Sequence, residues 1–287
     1  MKKLSEMITQ ITKGLFAGDA AFFFGAGASA SAGAPLWTKL RDALMKEAFS
    51  EIVTEEKQLE EFKKKFKIAD NIEILKYPEV IFSMARAVFG VGYLEKFLGA
   101  YYRKIVPNSD TYNVMENLVR WGFIRDVFTT NQDALFEKKF DQSGVPYIKI
   151  IPRFCDEKDK EKSSDVKIHS LHGDWKTHGS ILSDIQQIIP FKGAADVYNN
   201  YEIFKVEKTL FSYKTLVVMG YGGLDCDIQF LFGKYLKRGR IIWLCHGGDV
   251  PEIGDDLKSG IDFVNIVDSD NFFDEVERKI IKDKKHS

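Results

Sequence analysis

Residues 20–24 read Ala-Ala-Phe-Phe-Phe and stop at Gly25-Ala-Gly-Ala-Ser. A strand whose successive side chains are all apolar has no face to give to water, so it belongs inside a parallel sheet covered on both sides. The glycines that end it let the backbone turn tightly and approach a ligand. The run predicts a buried first strand that delivers the chain to a binding loop at the carboxyl edge of a sheet.

The rest of the chain fits that class after a long interruption. Residues 4–16 place Leu4, Met7, Ile8, Ile11 and Leu15 at helical spacing, which reads either as a packing helix or as an oligomer contact. Residues 37–121 are charged and helix-periodic, with segments near 39–49, 55–66, 79–89 and 112–121. A βαβ unit would return to a second strand soon after its first helix. The block is therefore read as an inserted helical subdomain, residues 38–121, within a single domain of residues 1–287. Beyond it, strands near 124–129, 147–151, 167–171, 215–219, 240–244 and 263–267 alternate with helices near 133–140 and 225–235 and a terminal helix. The expected fold class is α/β: a Rossmann-like, mostly parallel sheet with helices on both faces.

Composition narrows the function classes. Lys and Arg total 41 against 42 for Asp and Glu, so no electrostatic footprint marks direct nucleic acid binding or an anionic membrane. Cys155, Cys226 and Cys245 are too widely spaced for a disulfide framework or a zinc ribbon. Residues 1–18 mix charged and apolar types without the apolar core of a secretion signal, and no stretch approaches the roughly 20 apolar residues of a membrane helix. A cytoplasmic, reducing setting is expected.

Ligands of open α/β sheets bind beyond the carboxyl ends of the strands. Four such ends carry unusual chemistry. After the first strand, Gly25, Ala26 and Gly27 can direct amides at a diphosphate, with Ser29 and Ser31 as hydroxyl donors; a simple tight turn is the alternative. A dehydrogenase would also place an acidic residue at the end of a second strand about 20 residues on, where this chain has its helical block. In Thr129-Thr-Asn-Gln-Asp, Asn131 can orient a water or a ribose hydroxyl and Asp133 can accept from a carboxamide; either could equally cap a helix. In Ser170-Leu-His-Gly-Asp, His172 carries a group whose ordinary pKa near 6.5 suits a general base, although a lone histidine is often structural. His169 and His172 on one strand would face opposite ways, and no thiolate or carboxylate set completes a metal site. In Met219-Gly-Tyr-Gly-Gly-Leu-Asp, Gly220 again offers close backbone approach, while Tyr221 could stack on a ligand or pack in the core.

Together and in this order, Gly-Ala-Gly-x-Ser, Thr-Thr-Asn-x-Asp, Leu-His-Gly and Gly-Tyr-x-x-x-Asp resemble the sirtuin (silent-information-regulator) family over residues 22–232, especially its bacterial NAD-hydrolase branch associated with defence against phage. The resemblance implies NAD as substrate. It implies phosphate and ribose contacts from Gly25, Ala26, Gly27, Ser29 and Thr130, and nicotinamide ribose and carboxamide contacts from Asn131 and Asp133. His172 would be the catalytic base, and Gly220 and Tyr221 would line the adenosine side. Cys245-His246-Gly247 falls where such folds often contact the adenine ribose.

The chain also departs from the family. Deacylating sirtuins carry a four-cysteine zinc module, which three scattered cysteines cannot build, so NAD hydrolysis without a metal is favoured over protein deacylation. Gln132 stands where the bacterial branch usually has an aromatic residue, and Gly222 where a serine is common. A deacylase or ADP-ribosyltransferase, a non-catalytic NAD or ADP-ribose sensor and an oxidoreductase are the rivals. Unregulated NAD hydrolysis would harm its host, so the resemblance further implies a trigger: a homo-oligomer, an activating protein partner or a small signal molecule.

Overall fold

A computed structural model describes residues 3–49, 78–152, 165–181, 203–248, 250, 251 and 253–285. In chain order the elements are α1 (Leu4–Ala17), β1 (Ala20–Phe24), a single 3₁₀ turn (Ala26–Ser29), α2 (Trp37–Phe49), α3 (Pro78–Phe89), α4 (Val91–Tyr102), α5 (Asp110–Arg120), β2 (Asp126–Thr129), α6 (Leu135–Ser143), β3 (Tyr147–Ile150) and β4 (Val166–Ser170). There follow α7 (Ile203–Leu210), β5 (Thr215–Met219), α8 (Cys226–Tyr235), β6 (Arg240–His246), α9 (Asp255–Lys258), β7 (Ile261–Ile266) and α10 (Ser269–Lys284).

The seven strands form one sheet in the order β3-β4-β2-β1-β5-β6-β7, and every neighbouring pair is parallel. From β1 the chain builds outward first through β2 and later, on the other side, through β5. The crevice of such a sheet opens where that direction reverses, between β1 and β5.

The unbroken apolar run of β1 is explained by its two faces. Phe22 and Phe24 enter one core with Met7, Ile11 and Leu15 of α1, Tyr112 and Met115 of α5, Phe136 of α6 and Phe273 of α10. Ala21 and Phe23 enter a second core with Leu231, Phe232 and Tyr235 of α8 and Trp243 of β6. Each phenylalanine of β1 is fully buried, a contribution of about 1.5–3 kcal/mol apiece relative to exposure. Residues of α2, α3 and α4, with Ile181, share a third core that includes Leu40, Leu44, Phe82, Phe97 and Leu98. Of the described helices in the long block, α5 contributes buried residues to the first core, through Tyr112, Val114, Met115, Leu118 and Val119, with Ile105 packed against it.

Local chemistry sets several element ends. Gly18 and Gly144 close α1 and α6 in the left-handed conformation that glycine adopts without steric cost. The carboxylate of Asp268 caps α10 by accepting the Asn271 N–H at 2.7 Å. Helices α4, α7 and α9 were not expected from the sequence; Gly92 and Gly99 weaken the helical signal of α4. The segment expected near 55–66 lies outside the described residues. Among the described residues no helix is long and apolar enough to cross a membrane, and no three His, Cys, Asp or Glu are grouped to hold a metal ion.

Candidate active site

The four sequence motifs stand at the carboxyl ends of four consecutive strands, β4, β2, β1 and β5. At about 4.8 Å per strand they line an edge roughly 14 Å long. Backbone bonds tie these ends together: Thr130 N–H donates to Phe24 O at 3.1 Å, Leu171 N–H to Thr129 O at 2.8 Å and Gly25 N–H to Met219 O at 2.9 Å.

The glycines at the centre have a task inside the protein. A Cβ on Gly25 would lie 2.5 Å from Tyr221 Cα, one on Gly27 2.9 Å from Gly220 Cα, and one on Gly220 2.0 Å from Ala28 N. The loops after β1 and β5 pack backbone against backbone, and Gly27 N–H already donates to Gly220 O at 2.8 Å. The amide of Gly27 is thus engaged within the crevice wall. The close approach foreseen for a diphosphate is first an approach between two loops of the protein.

Beside it lies a buried polar cluster. Ser29 Oγ accepts from Asn131 Nδ2 at 2.9 Å and shares a 2.7 Å hydrogen bond with the Tyr112 hydroxyl. Asn131 is also held through its backbone, whose N–H donates to Thr129 Oγ1 at 2.9 Å, while Thr129 Oγ1 donates to Phe24 O at 3.0 Å. Its Oδ1 is buried and has no hydrogen-bond partner among the described residues. An unsatisfied buried acceptor costs about 1–3 kcal/mol, so this oxygen is suited to a donor supplied from outside, such as a ribose hydroxyl or a water.

Asp133 completes the cluster. Its Oδ1 accepts the Leu135 N–H at 3.0 Å, across Ala134, which has φ 56°. A left-handed alanine costs about 1–2 kcal/mol, and here it separates Asp133 from the start of α6. The helix expected from residue 133 therefore begins at Leu135, and Asp133 is left outside it, buried beside Ser29. Burial pushes the Asp133 carboxyl up to about 6, against the hydrogen bonds from Ser29 and the Leu135 backbone that favour its charged form. Because the folded-state value lies above the ordinary 3.8, stability falls as pH rises through that window and stays lower above it. Asp133→Asn keeps a carbonyl acceptor for Leu135, and it should raise stability at pH 7.5 by about 1–3 kcal/mol while converging with the unmodified protein near pH 4. Thermal unfolding at the two pH values checks this; a variant less stable at pH 7.5 contradicts it.

On the other side, His172 is buried at the end of β4, followed by Gly173 with φ 73°. A Cβ on Gly173 would meet Ser180 O at 2.1 Å, so only glycine permits the turn that presents the ring. His172 Nε2 lies 3.1 Å from Asp227 Oδ2. Burial disfavours charge on the ring, but Asp227, Asp225 and Glu79 outweigh it and lift the imidazole to about 9. His172 is thus an imidazolium at neutral pH rather than the half-titrated group its ordinary value suggests. His169 is a separate feature: its Nε2 lies 2.7 Å from Asp126 and its ring stacks on Phe128 at 4.5 Å, so the two histidines do not share a site.

The remaining expected residues fall as follows. Ser31 is at the surface, donating to Asp270 at 3.2 Å, apart from the cluster. Thr130 is half-buried beside Asn131. The Tyr221 ring is packed among Phe23, Phe232 and Trp243, with centroids at 5.3, 6.0 and 5.6 Å, so a ligand on that side would meet its backbone rather than its face. Cys245 is buried and His246 exposed where β6 ends, two strands from β1. Sequence reasoning missed Tyr112, treated only as a helix position, and Asp227 and Glu79. A phenolic hydroxyl on the mostly apolar buried face of α5 was the available sign of Tyr112.

These features define an α/β protein of the Rossmann-like class with its crevice at the β1/β5 reversal. The SIR2-like domain family matches residues 125–247, less than half of the chain. No curated protein matches. Among solved structures, one described as "Structural Basis for the Mechanism and Regulation of Sir2 Enzymes" is similar at a TM-score of 0.52 and 12% identity, covering 97% of this chain and 98% of that one. A second, described as "The Structural basis for Sirtuin Substrate affinity", has a TM-score of 0.48 at 12% identity with 100% of both chains covered. The chain has a sirtuin-like fold.

Proposed function

We propose that this chain cleaves the bond between nicotinamide and ribose in NAD, giving nicotinamide and ADP-ribose. The observation that carries the reading is the buried, unpartnered Oδ1 of Asn131, held at the crevice edge by Ser29 and flanked by Asp133 and the His172 strand end. Cleavage develops an oxocarbenium-like centre at C1′, so a site needs to hold the sugar, let the pyridine depart and bring water to the opposite face. Asn131 Oδ1 accepts from a ribose hydroxyl or the attacking water. Asp133 accepts from the carboxamide N–H. As the water oxygen bonds to C1′, the electron pair of the C1′–N bond leaves with nicotinamide, and His172 in its neutral form takes the proton of the water.

The sirtuin-like fold and the SIR2-like domain match support NAD as the ligand. Three cysteines in the whole chain cannot supply the four-cysteine module of deacylating sirtuins, which favours water as acceptor over an acyl-lysine. A regulated effector that depletes NAD, switched by assembly or by a partner, is the setting that fits such an activity. Purified protein incubated with NAD should yield nicotinamide and free ADP-ribose by chromatography, with Asn131→Ala nearly inactive and NAD binding followed in the same samples. Bound NAD that stays intact, or that yields ADP-ribosylated protein in place of free ADP-ribose, would overturn hydrolysis.

A further inference from the structure

The pairing of His172 with Asp227 joins the end of β4 to the first turn of α8, 55 residues further on. Asp227 is itself held: its Oδ1 accepts the Ile228 N–H at 2.9 Å, which aims Oδ2 at the ring, and its side chain is 9% exposed. Charged groups facing the imidazole come from two elements, Asp227 and Asp225 at the start of α8 and Glu79 from α3. The Tyr221 hydroxyl faces Asp225 in turn. With Nε2 committed to Asp227, Nδ1 is the ring nitrogen left for a substrate.

We propose that Asp227 is the positioning residue of His172, fixing its tautomer and ring plane so that Nδ1 receives the proton during bond cleavage. The inference rests on the hydrolase reading for its reaction, but not for its geometry. When the Nε2 proton is donated to Asp227, the lone pair of the neutral ring sits on Nδ1. Transfer of a water proton to Nδ1 then yields an imidazolium stabilised by the Asp227 charge, as the C–O bond forms and the pair of the broken C–N bond departs with nicotinamide. A purely structural pair would also tie β4 to α8. It would not set the pH at which turnover rises.

The test uses the full chain labelled at histidine ring carbons and nitrogens, with His172→Ala to assign the resonance. In the unmodified protein the His172 ring should titrate at about 9 with the proton of the neutral form on Nε2. Asp227→Asn should lower that midpoint by about 1–3 pH units, Asp225→Asn by less, and Asp227→Glu should restore part of it. The limiting turnover of Asp227→Asn at high pH should fall about 10²-fold, with its pH profile displaced downward by the same interval and NAD affinity little changed. A ring titrating near 6.5 in the unmodified protein, or one unmoved in Asp227→Asn, overturns the proposal. If Asp227→Asn does not fold, the unmodified titration and Asp225→Asn decide. Displaced titration without nicotinamide release from any form keeps the pairing and removes the hydrolase reading; release with an undisplaced profile does the reverse.

Discussion

Replacing His172 by alanine should lower nicotinamide release from NAD by at least about 10²-fold, and in the unmodified protein kcat/KM should rise about tenfold per pH unit up to about 9. Both follow from one requirement. A base accepts a proton only in its neutral form, and kcat/KM reports the ionisation of the free protein. With the ring raised to about 9, roughly one molecule in a hundred carries neutral His172 at pH 7. That fraction grows tenfold per unit and levels off above pH 9, so the profile rises and then flattens. On this reading the same carboxylates would suppress activity at neutral pH and make His172 a stronger base once it is free. Initial rates between pH 6.5 and 10, with NAD binding measured alongside, check both parts. A flat profile from 7 to 9, or normal release by His172→Ala, removes His172 from the reaction.

Gly220→Ala should be strongly destabilising where the loops after β1 and β5 meet. Its φ is +63°, and its Cβ would fall 2.0 Å from Ala28 N and 2.6 Å from Gly27 C, both backbone atoms that cannot rotate away. A left-handed alanine costs about 1–2 kcal/mol, and forced overlap in a packed region about 1–3 kcal/mol more. Together these predict a fall in thermal midpoint of roughly 5–15 °C. NAD affinity should be lost with it, since the β1 and β5 loops are driven apart where the ligand would lie. Gly222 provides the control two residues away: its Cβ meets nothing within 4 Å, so Gly222→Ala should stay within about 0.5 kcal/mol. Equal stability of the two alanine variants would show that the loops do not pack as described.

The order of elements was legible because burial on two faces leaves a mark in one strand at a time. The Ala-Ala-Phe-Phe-Phe run of β1 and the Thr-Leu-Val-Val-Met run of β5 were bounded correctly from sequence, since each strand feeds both cores and its buried positions are all apolar. β6 runs two residues past its expected end, through Cys245 and His246, because its pairing with β7 continues there. The site was legible only where its residues sit beside a strand end. Asn131, Asp133 and His172 announce themselves by interrupting an apolar pattern. Their partners do not: Tyr112 reaches Ser29 from 83 residues away, and Asp227 reaches His172 from a helix that belongs to another strand. Glu79 comes from the helical block, whose placement over the sheet no local pattern encodes. The charge state of His172 depends on all of these carboxylates, so an ordinary imidazole was the reading that sequence allowed.

Trp175 stands at the junction of these parts. Its backbone N–H donates to Gln132 O at 3.3 Å and its indole N–H to Asp133 O at 3.3 Å. Its ring lies against Gly99 of α4, where a Cβ would meet it at 3.0 Å, and beneath the Arg103 guanidinium at 5.6 Å. Indole emission responds to the polarity and hydrogen bonding around the ring. The segment that bears Asn131 and Asp133 is therefore coupled to an optical gauge, one of the four tryptophans of the chain, whose share of the emission is the part lost in Trp175→Phe.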